Sequence, residues 1–119
     1  MNENQYNMKK IEAIIRSSKF EDVKESLSGI GINFFTFFEV KGFGKQKGEH
    51  VTYRGQAYDI GYIARMKIEI IIPDSKEIEI VSTIRKSAHT GEIGDGKIIV
   101  TRIEQMIGIR TGELDQSAL

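Results

Sequence analysis

The chain has 119 residues, of which 39% are hydrophobic and 29% are charged, and its 17 basic and 17 acidic side chains balance. This length favours a single domain around one core, and the balanced charge argues against broad binding to nucleic acid. The absence of cysteine excludes disulfides and thiolate chemistry, and the two histidines are too few for a histidine metal cluster. Since no apolar run approaches about 20 residues, we expect a soluble, cytoplasmic protein.

The first half of the chain predicts a flexible extension, a strand, a helix and a second strand. Residues 1–7 are polar and lack periodicity, whereas residues 8–16 alternate in the period of a strand. Apolar side chains recur every three or four positions over residues 19–30, which predicts an amphipathic helix with Ser18 as its cap. The aromatic segment 33–42 then predicts a strand that is buried on both faces.

The second half repeats the pattern of strand, helix and strand. Residues 64–72 alternate strictly, with Met66, Ile68, Ile70 and Ile72 on one face. Asp74 and Glu77 have the spacing of a capping box, which predicts a helix with Ile78, Val81 and Ile84 turned inward.

Residues 97–103 predict the last strand, and the C-terminal segment predicts a short extended piece with a polar tail. The element order is that of an α+β, ferredoxin-like double βαβ domain.

Two glycine-containing segments fall outside these elements. The connection at residues 43–62 is about 20 residues long, whereas a hairpin loop usually has about 2 to 5. It combines cations, tyrosines and glycines, which is compatible with a solvated mobile loop or with a loop that binds an anion and a partner. The segment "TGEIGDGK", residues 90–97, is compatible with a tight turn or with a phosphate cradle built from backbone N–H groups and a lysine.

Six segments in the same order and spacing resemble the nitrogen regulatory P-II signalling proteins. They are "MKKIEAIIR", "EVKGFGKQKG", "YRGQAY", "KIEIII", "TGEIGDGKIIV" and "IRTGE", and the resemblance runs from Met8 to the C-terminus. It implies one signalling domain at 8–119, with a T-loop at about 43–62, a B-loop at about 89–97 and a C-loop at about 107–119.

The resemblance also implies a regulatory function and not an enzymatic one. Members of the family are homotrimers that bind ATP or ADP in clefts between subunits, with Mg²⁺ accompanying ATP and 2-oxoglutarate joining it. The T-loop then regulates a membrane transporter, such as the ammonium channel, or a nitrogen-assimilation enzyme. We therefore expect a cytoplasmic protein that a transporter recruits to the inner face of the membrane.

The resemblance assigns roles by matching position. The nucleotide-binding residues are Thr36, Gly44, Lys45, Glu69, Ile71, Thr90, Gly94, Asp95, Gly96, Lys97 and Arg110. The 2-oxoglutarate residues are Gln46, Lys47, Gly48 and Arg65, and Gln46 is also the Mg²⁺ contact. Arg54 is the implied partner contact, and Tyr58 stands where some members are uridylylated.

Departures from the family pattern keep two alternatives open. Gly108 replaces one of two phosphate-clamping arginines, while Arg65 replaces a lysine and Lys45 an arginine. A guanidinium and an ammonium do not occupy the same space, so the first alternative is an ADP/ATP sensor without a 2-oxoglutarate response, acting on another transporter. A more remote alternative is a small nucleotide hydrolase, with Asp95 or Glu69 as its base.

Overall fold

The computed structural model describes residues 7–43, 50–53, 56–59 and 62–119. The strands in these ranges are β1 (Met8–Arg16), β2 (Thr36–Phe43), β3 (His50–Tyr53), β4 (Gln56–Asp59), β5 (Tyr62–Pro73) and β6 (Lys97–Ile103). The α-helices are α1 (Phe20–Gly29) and α2 (Glu77–Ala88). Short 3₁₀ helices cover Ser17–Lys19, Asp74–Lys76 and Asp115–Ala118.

Four strands form an antiparallel sheet in the order β2-β5-β1-β6. β1 and β5 are the inner pair, in a register that places Glu12 opposite Glu69 and Arg16 opposite Arg65. This order, with a helix after β1 and another after β5, confirms the predicted ferredoxin-like α+β fold.

The core lies between one face of this sheet and the two helices. β1 contributes Ile11, Ala13 and Ile15 to it, and β5 contributes the predicted Met66, Ile68, Ile70 and Ile72. Helix α2 contributes Ile80 and Ile84. The prediction for Ile78 is wrong, because its side chain is 84% exposed. Ile78 precedes Ile80 by two residues, or about 200° of helical turn, so it lies on the opposite side of the helix.

The predicted helix caps are also wrong. Ser18 lies inside a 3₁₀ turn, and α1 begins after Lys19 without a side-chain cap. Asp74 likewise lies in a 3₁₀ turn, so it does not form a capping box with Glu77. Both of these carboxylates instead form ion pairs with the ammonium group of Lys9 on the first strand.

The second face of the sheet is left open by the helices. Phe38 and Ile71 are 43% and 40% exposed, and Phe37 on the helix side is 53% exposed. The prediction that the aromatic strand is buried on both faces is therefore wrong for the single chain. β2 is an edge strand, and the helices cover only one side of the sheet, so its aromatic side chains are not enclosed.

Two segments that were predicted to lack backbone pairing between strands contain such pairing. Within 43–62, β3 and β4 pair as a hairpin from His50 opposite Asp59 to Tyr53 opposite Gln56. Near the C-terminus, a bridge between Ile107 and Leu114 closes a turn that leads into a 3₁₀ helix, so the predicted extended piece is wrong. The described part of the chain contains no helix long and apolar enough to cross a bilayer.

Candidate functional site

The B-loop is organised around the carboxylate of Asp95. Backbone N–H groups of Thr90 and Gly91 each donate to Asp95 Oδ2 over 2.9 Å, and the Thr90 hydroxyl donates to Oδ1. From the end of β1, Arg16 Nε donates to Oδ1 over 3.0 Å, while its Nη2 donates to the carbonyl of Ile93 over 2.8 Å. Asp95 and Arg16 therefore tie the loop to the sheet.

These contacts keep Asp95 ionised. The Thr90 hydroxyl contributes most to holding the pKa of the Asp95 carboxyl well below its usual range, with further help from the backbone N–H groups and Arg16. Both carboxylate oxygens are engaged in the loop. A carboxylate with so low a pKa is a poor proton acceptor, so Asp95 positions the loop and does not act as a general base.

Glycine is required in this loop by the backbone itself. Gly91, Gly94 and Gly96 have φ values of +87°, +102° and +97°, a region that L side chains rarely adopt. At Gly96 an added Cβ would also lie only 1.8 Å from the carbonyl oxygen of Ile14. The loop can thus lie directly against the first strand only because residue 96 has no side chain.

A cleft of about 550 Å³ opens beside the B-loop, and we call it the cationic cleft. It is lined by Ile14, Gly42, Arg65, Glu92, Gly94, Asp95, Gly96 and Lys97. Among the described residues, neither Lys97 nor Arg65 forms an ion pair; the guanidinium of Arg65 donates to the carbonyl of Ala64 over 3.2 Å. Because the Asp95 carboxylate is already paired with Arg16 and the loop N–H groups, these two cations are available to an anion.

The predicted residues Thr36, Glu69 and Ile71 lie in a second cleft, of about 350 Å³, which we call the apolar cleft. Its other lining residues are Phe34, Phe35, Ile70, Met106, Ala118 and Leu119. Thr36 Oγ1 donates to the carbonyl of Glu69 over 3.4 Å. The two clefts share no lining residue, so one chain does not bring all the predicted nucleotide residues together.

An ion-pair network on the open face separates the two clefts. Lys67 Nζ lies 2.7 Å from Glu12 and 3.7 Å from Glu69, while Lys10 lies 3.7 Å and 3.5 Å from the same two carboxylates. The bond from Lys67 lowers the pKa of Glu12, and the same bond raises the pKa of Lys67. The two lysines thereby offset the repulsion between two carboxylates that face each other across the strands.

The remaining predicted residues are not placed in either cleft. Arg110 is exposed on the C-terminal turn, which the N–H of Gly112 closes by donating to the carbonyl of Gly108 over 2.8 Å. Tyr58 lies on β4 opposite Val51. The predicted residues Gly44, Lys45, Gln46, Lys47, Gly48 and Arg54 lie outside the described residues.

Sequence reasoning missed Arg16 and Phe34. Arg16 ends an alternating strand, and nothing in the local pattern shows that a loop almost 80 residues later carries its acceptor. Phe34 belongs to the aromatic segment that predicted a buried strand, and only the tertiary structure places it at a cleft. No cluster of three or more metal-ligating side chains occurs within the described ranges.

A ferredoxin-like domain with a glycine-rich loop beside a cleft that contains a lysine and an arginine, and with an open sheet face, has the features of a small regulatory protein. The family model for "Nitrogen regulatory protein P-II" matches residues 8–113. The chain belongs to this family, whose members regulate nitrogen metabolism and are signalling proteins, not enzymes.

Individual relatives agree with this assignment. The chain is 47% identical to the nitrogen regulatory protein GlnK of Escherichia coli K12 and 49% identical to nitrogen regulatory protein P-II 1 of the same organism. Each match covers 94% of this chain and 100% of the relative. The fold is similar to that of Arabidopsis thaliana PII bound to citrate, with a TM-score of 0.76 and 34% identity over 95% of this chain and 92% of that one.

Proposed function

We propose that residues 8–119 form a homotrimeric sensor that binds ATP or ADP between subunits and regulates its target through the T-loop. The observation that carries this proposal is the cationic cleft, in which Lys97 and the glycine backbone of the B-loop lie beside Arg65. Phosphates are bound well by converging N–H groups together with point charges. The tie between Asp95 and Arg16 holds the loop in place before the ligand arrives.

The separation of the two clefts supports a site shared between subunits. Arg65 and Ile71 are six residues apart on one strand, or about 20 Å at the rise of a β-strand. We infer that the cationic cleft of one subunit takes the phosphates and that the apolar cleft of a neighbour takes the base. Trimerisation would also cover the open sheet face, where Phe38 and Ile71 are exposed. Arg110 on its exposed turn would then reach the phosphates from a neighbour.

Two effectors belong to the proposed response. Arg65 at the mouth of the cationic cleft provides a forked donor for a carboxylate of 2-oxoglutarate. Gln46, with Lys47 and Gly48, completes that site and contacts Mg²⁺ held by ATP. The proposed targets are a membrane transporter or a nitrogen-assimilation enzyme, with Arg54 in the contact and Tyr58 as the site of modification.

Calorimetric titration of ATP with Mg²⁺, with and without 2-oxoglutarate, tests the proposal. We expect nucleotide binding that 2-oxoglutarate strengthens, and Arg65→Ala should remove the strengthening. No binding of either nucleotide would refute the proposed function. Nucleotide binding that 2-oxoglutarate leaves unchanged would favour the alternative of an ADP/ATP sensor, which Gly108 in place of a phosphate-clamping arginine also favours.

A further inference from the structure

Phe34 is an aromatic side chain that the fold leaves in solvent. It is 82% exposed, whereas the next residue, Phe35, packs against the core with its ring centroid 6.3 Å from that of Phe20. Phe34 and Phe35 lie just before β2, which begins at Thr36, and all three residues line the apolar cleft. Of the two phenylalanines, Phe34 is the one whose side chain the core leaves uncovered.

Phe34 is one of the residues that line the apolar cleft. Others are Ile71 on β5 and Met106 and Leu119 near the C-terminus. A volume of about 350 Å³ falls in the usual range for a small-molecule pocket. Because a phenylalanine ring presents a large flat surface, an exposed one at the edge of an apolar cleft suits a flat ring as its ligand.

The cleft also presents a fixed hydrogen-bond acceptor. The carboxylate of Glu69 lies 3.5 Å from Lys10 and 3.7 Å from Lys67, which hold it in position on the open face. An apolar slot with an aromatic wall and an anionic acceptor matches a nucleobase that carries an exocyclic amino group. The triphosphate would not suit this cleft, since its one ionisable lining side chain, among the described residues, is the acidic Glu69.

We propose that Phe34 stacks on the purine base and supplies the part of the affinity that depends on the base. This inference rests on the proposed function, because it assigns the base of the nucleotide to the apolar cleft. Stacking of a base on an aromatic side chain typically changes affinity about five- to one-hundred-fold.

Calorimetry with two ligands tests the proposal on the full-length protein. ADP carries the base, whereas inorganic tripolyphosphate has the phosphates alone. We expect Phe34→Ala to weaken ADP binding about tenfold and to leave tripolyphosphate binding unchanged. Phe34→Trp keeps an aromatic face and should retain wild-type affinity for ADP. Ile78→Ala is the matched control, since it also shortens an exposed apolar side chain but lies on α2, away from both clefts.

Several outcomes would overturn the inference while leaving nucleotide binding intact. They are unchanged or tighter ADP binding by Phe34→Ala, an equal loss for both ligands, or a change in oligomeric mass by light scattering. A change in mass would show that Phe34 is covered by a second subunit and not by a base. Failure of the wild-type protein to bind ADP would instead refute the proposed function, and with it this inference.

Discussion

Replacement of Gly96 by alanine probes how the B-loop is held against the sheet. The Cβ of the alanine would lie 1.8 Å from the carbonyl oxygen of Ile14, although Cβ atoms essentially never come closer than 3.0 Å to another heavy atom. Either the loop or β1 must therefore move by more than 1 Å. The φ of +97° adds backbone strain of about 1 to 3 kcal/mol, and displacing the strand carbonyl costs about 1 kcal/mol more.

We therefore expect Gly96→Ala to lower the free energy of unfolding by about 2 to 4 kcal/mol. Urea denaturation at one fixed protomer concentration measures this, because the stability of an oligomer depends on concentration. Gly29→Ala is the matched control: it lies in α1 with no atom within 4 Å of the added Cβ, so it should be neutral or stabilising by up to about 1 kcal/mol. If Gly96→Ala lowers the free energy of unfolding by less than about 0.5 kcal/mol, the close approach of residue 96 to the carbonyl of Ile14 is refuted.

Three further changes test the electrostatics and the nucleotide site. Asp95→Asn should destabilise the protein at pH 7, because the folded-state pKa of Asp95 lies below its unfolded value of about 3.9. The difference in free energy of unfolding between variant and wild type should close as the pH falls below about 4, which urea denaturation across pH measures. Lys67→Met should raise the pKa of Glu12, which carbon NMR of the carboxyl group can follow. Gly108→Arg should tighten ATP binding by one to about two decades in calorimetry, because it restores the missing phosphate-clamping arginine. The backbone has room for the change, since the nearest atom to the added Cβ is 3.4 Å away and φ lies outside the left-handed region.

Each of these three predictions has an outcome that contradicts it. An Asp95→Asn protein whose deficit persists unchanged at pH 2 would show that geometry, and not charge, stabilises the loop. An unshifted Glu12 in Lys67→Met would mean that the 2.7 Å ion pair does not form in solution. Equal ATP affinity in Gly108→Arg would remove the argument that the missing arginine weakens the phosphate clamp.

The local sequence was sufficient to predict the strands and the fold class. Apolar and polar side chains alternate along β1 and β5 because one face of the sheet is buried. The bounds of β1 and the core residues of β5 could therefore be predicted from the sequence. The B-loop was also predictable as a glycine-rich segment between a helix and a strand. The same local reasoning failed for Ile78, since an apolar residue type does not reveal which side of a helix faces the core. It also failed for the caps, because 3₁₀ turns precede both helices and move their first residues past Ser18 and Asp74.

Long-range pairing decided what the sequence left ambiguous. "TGEIGDGK" was equally compatible with a turn and with a phosphate cradle, and its sequence could not show that Arg16, 79 positions before Asp95, ties this loop to the first strand. The aromatic run 33–38 predicted a buried strand because composition cannot show whether a strand lies at the edge of a sheet. The position of β2 at the sheet edge, paired with β5 alone, leaves Phe38 exposed. The sequence thus determined the elements and the family, whereas the packing of distant segments determined which side chains meet in the two clefts.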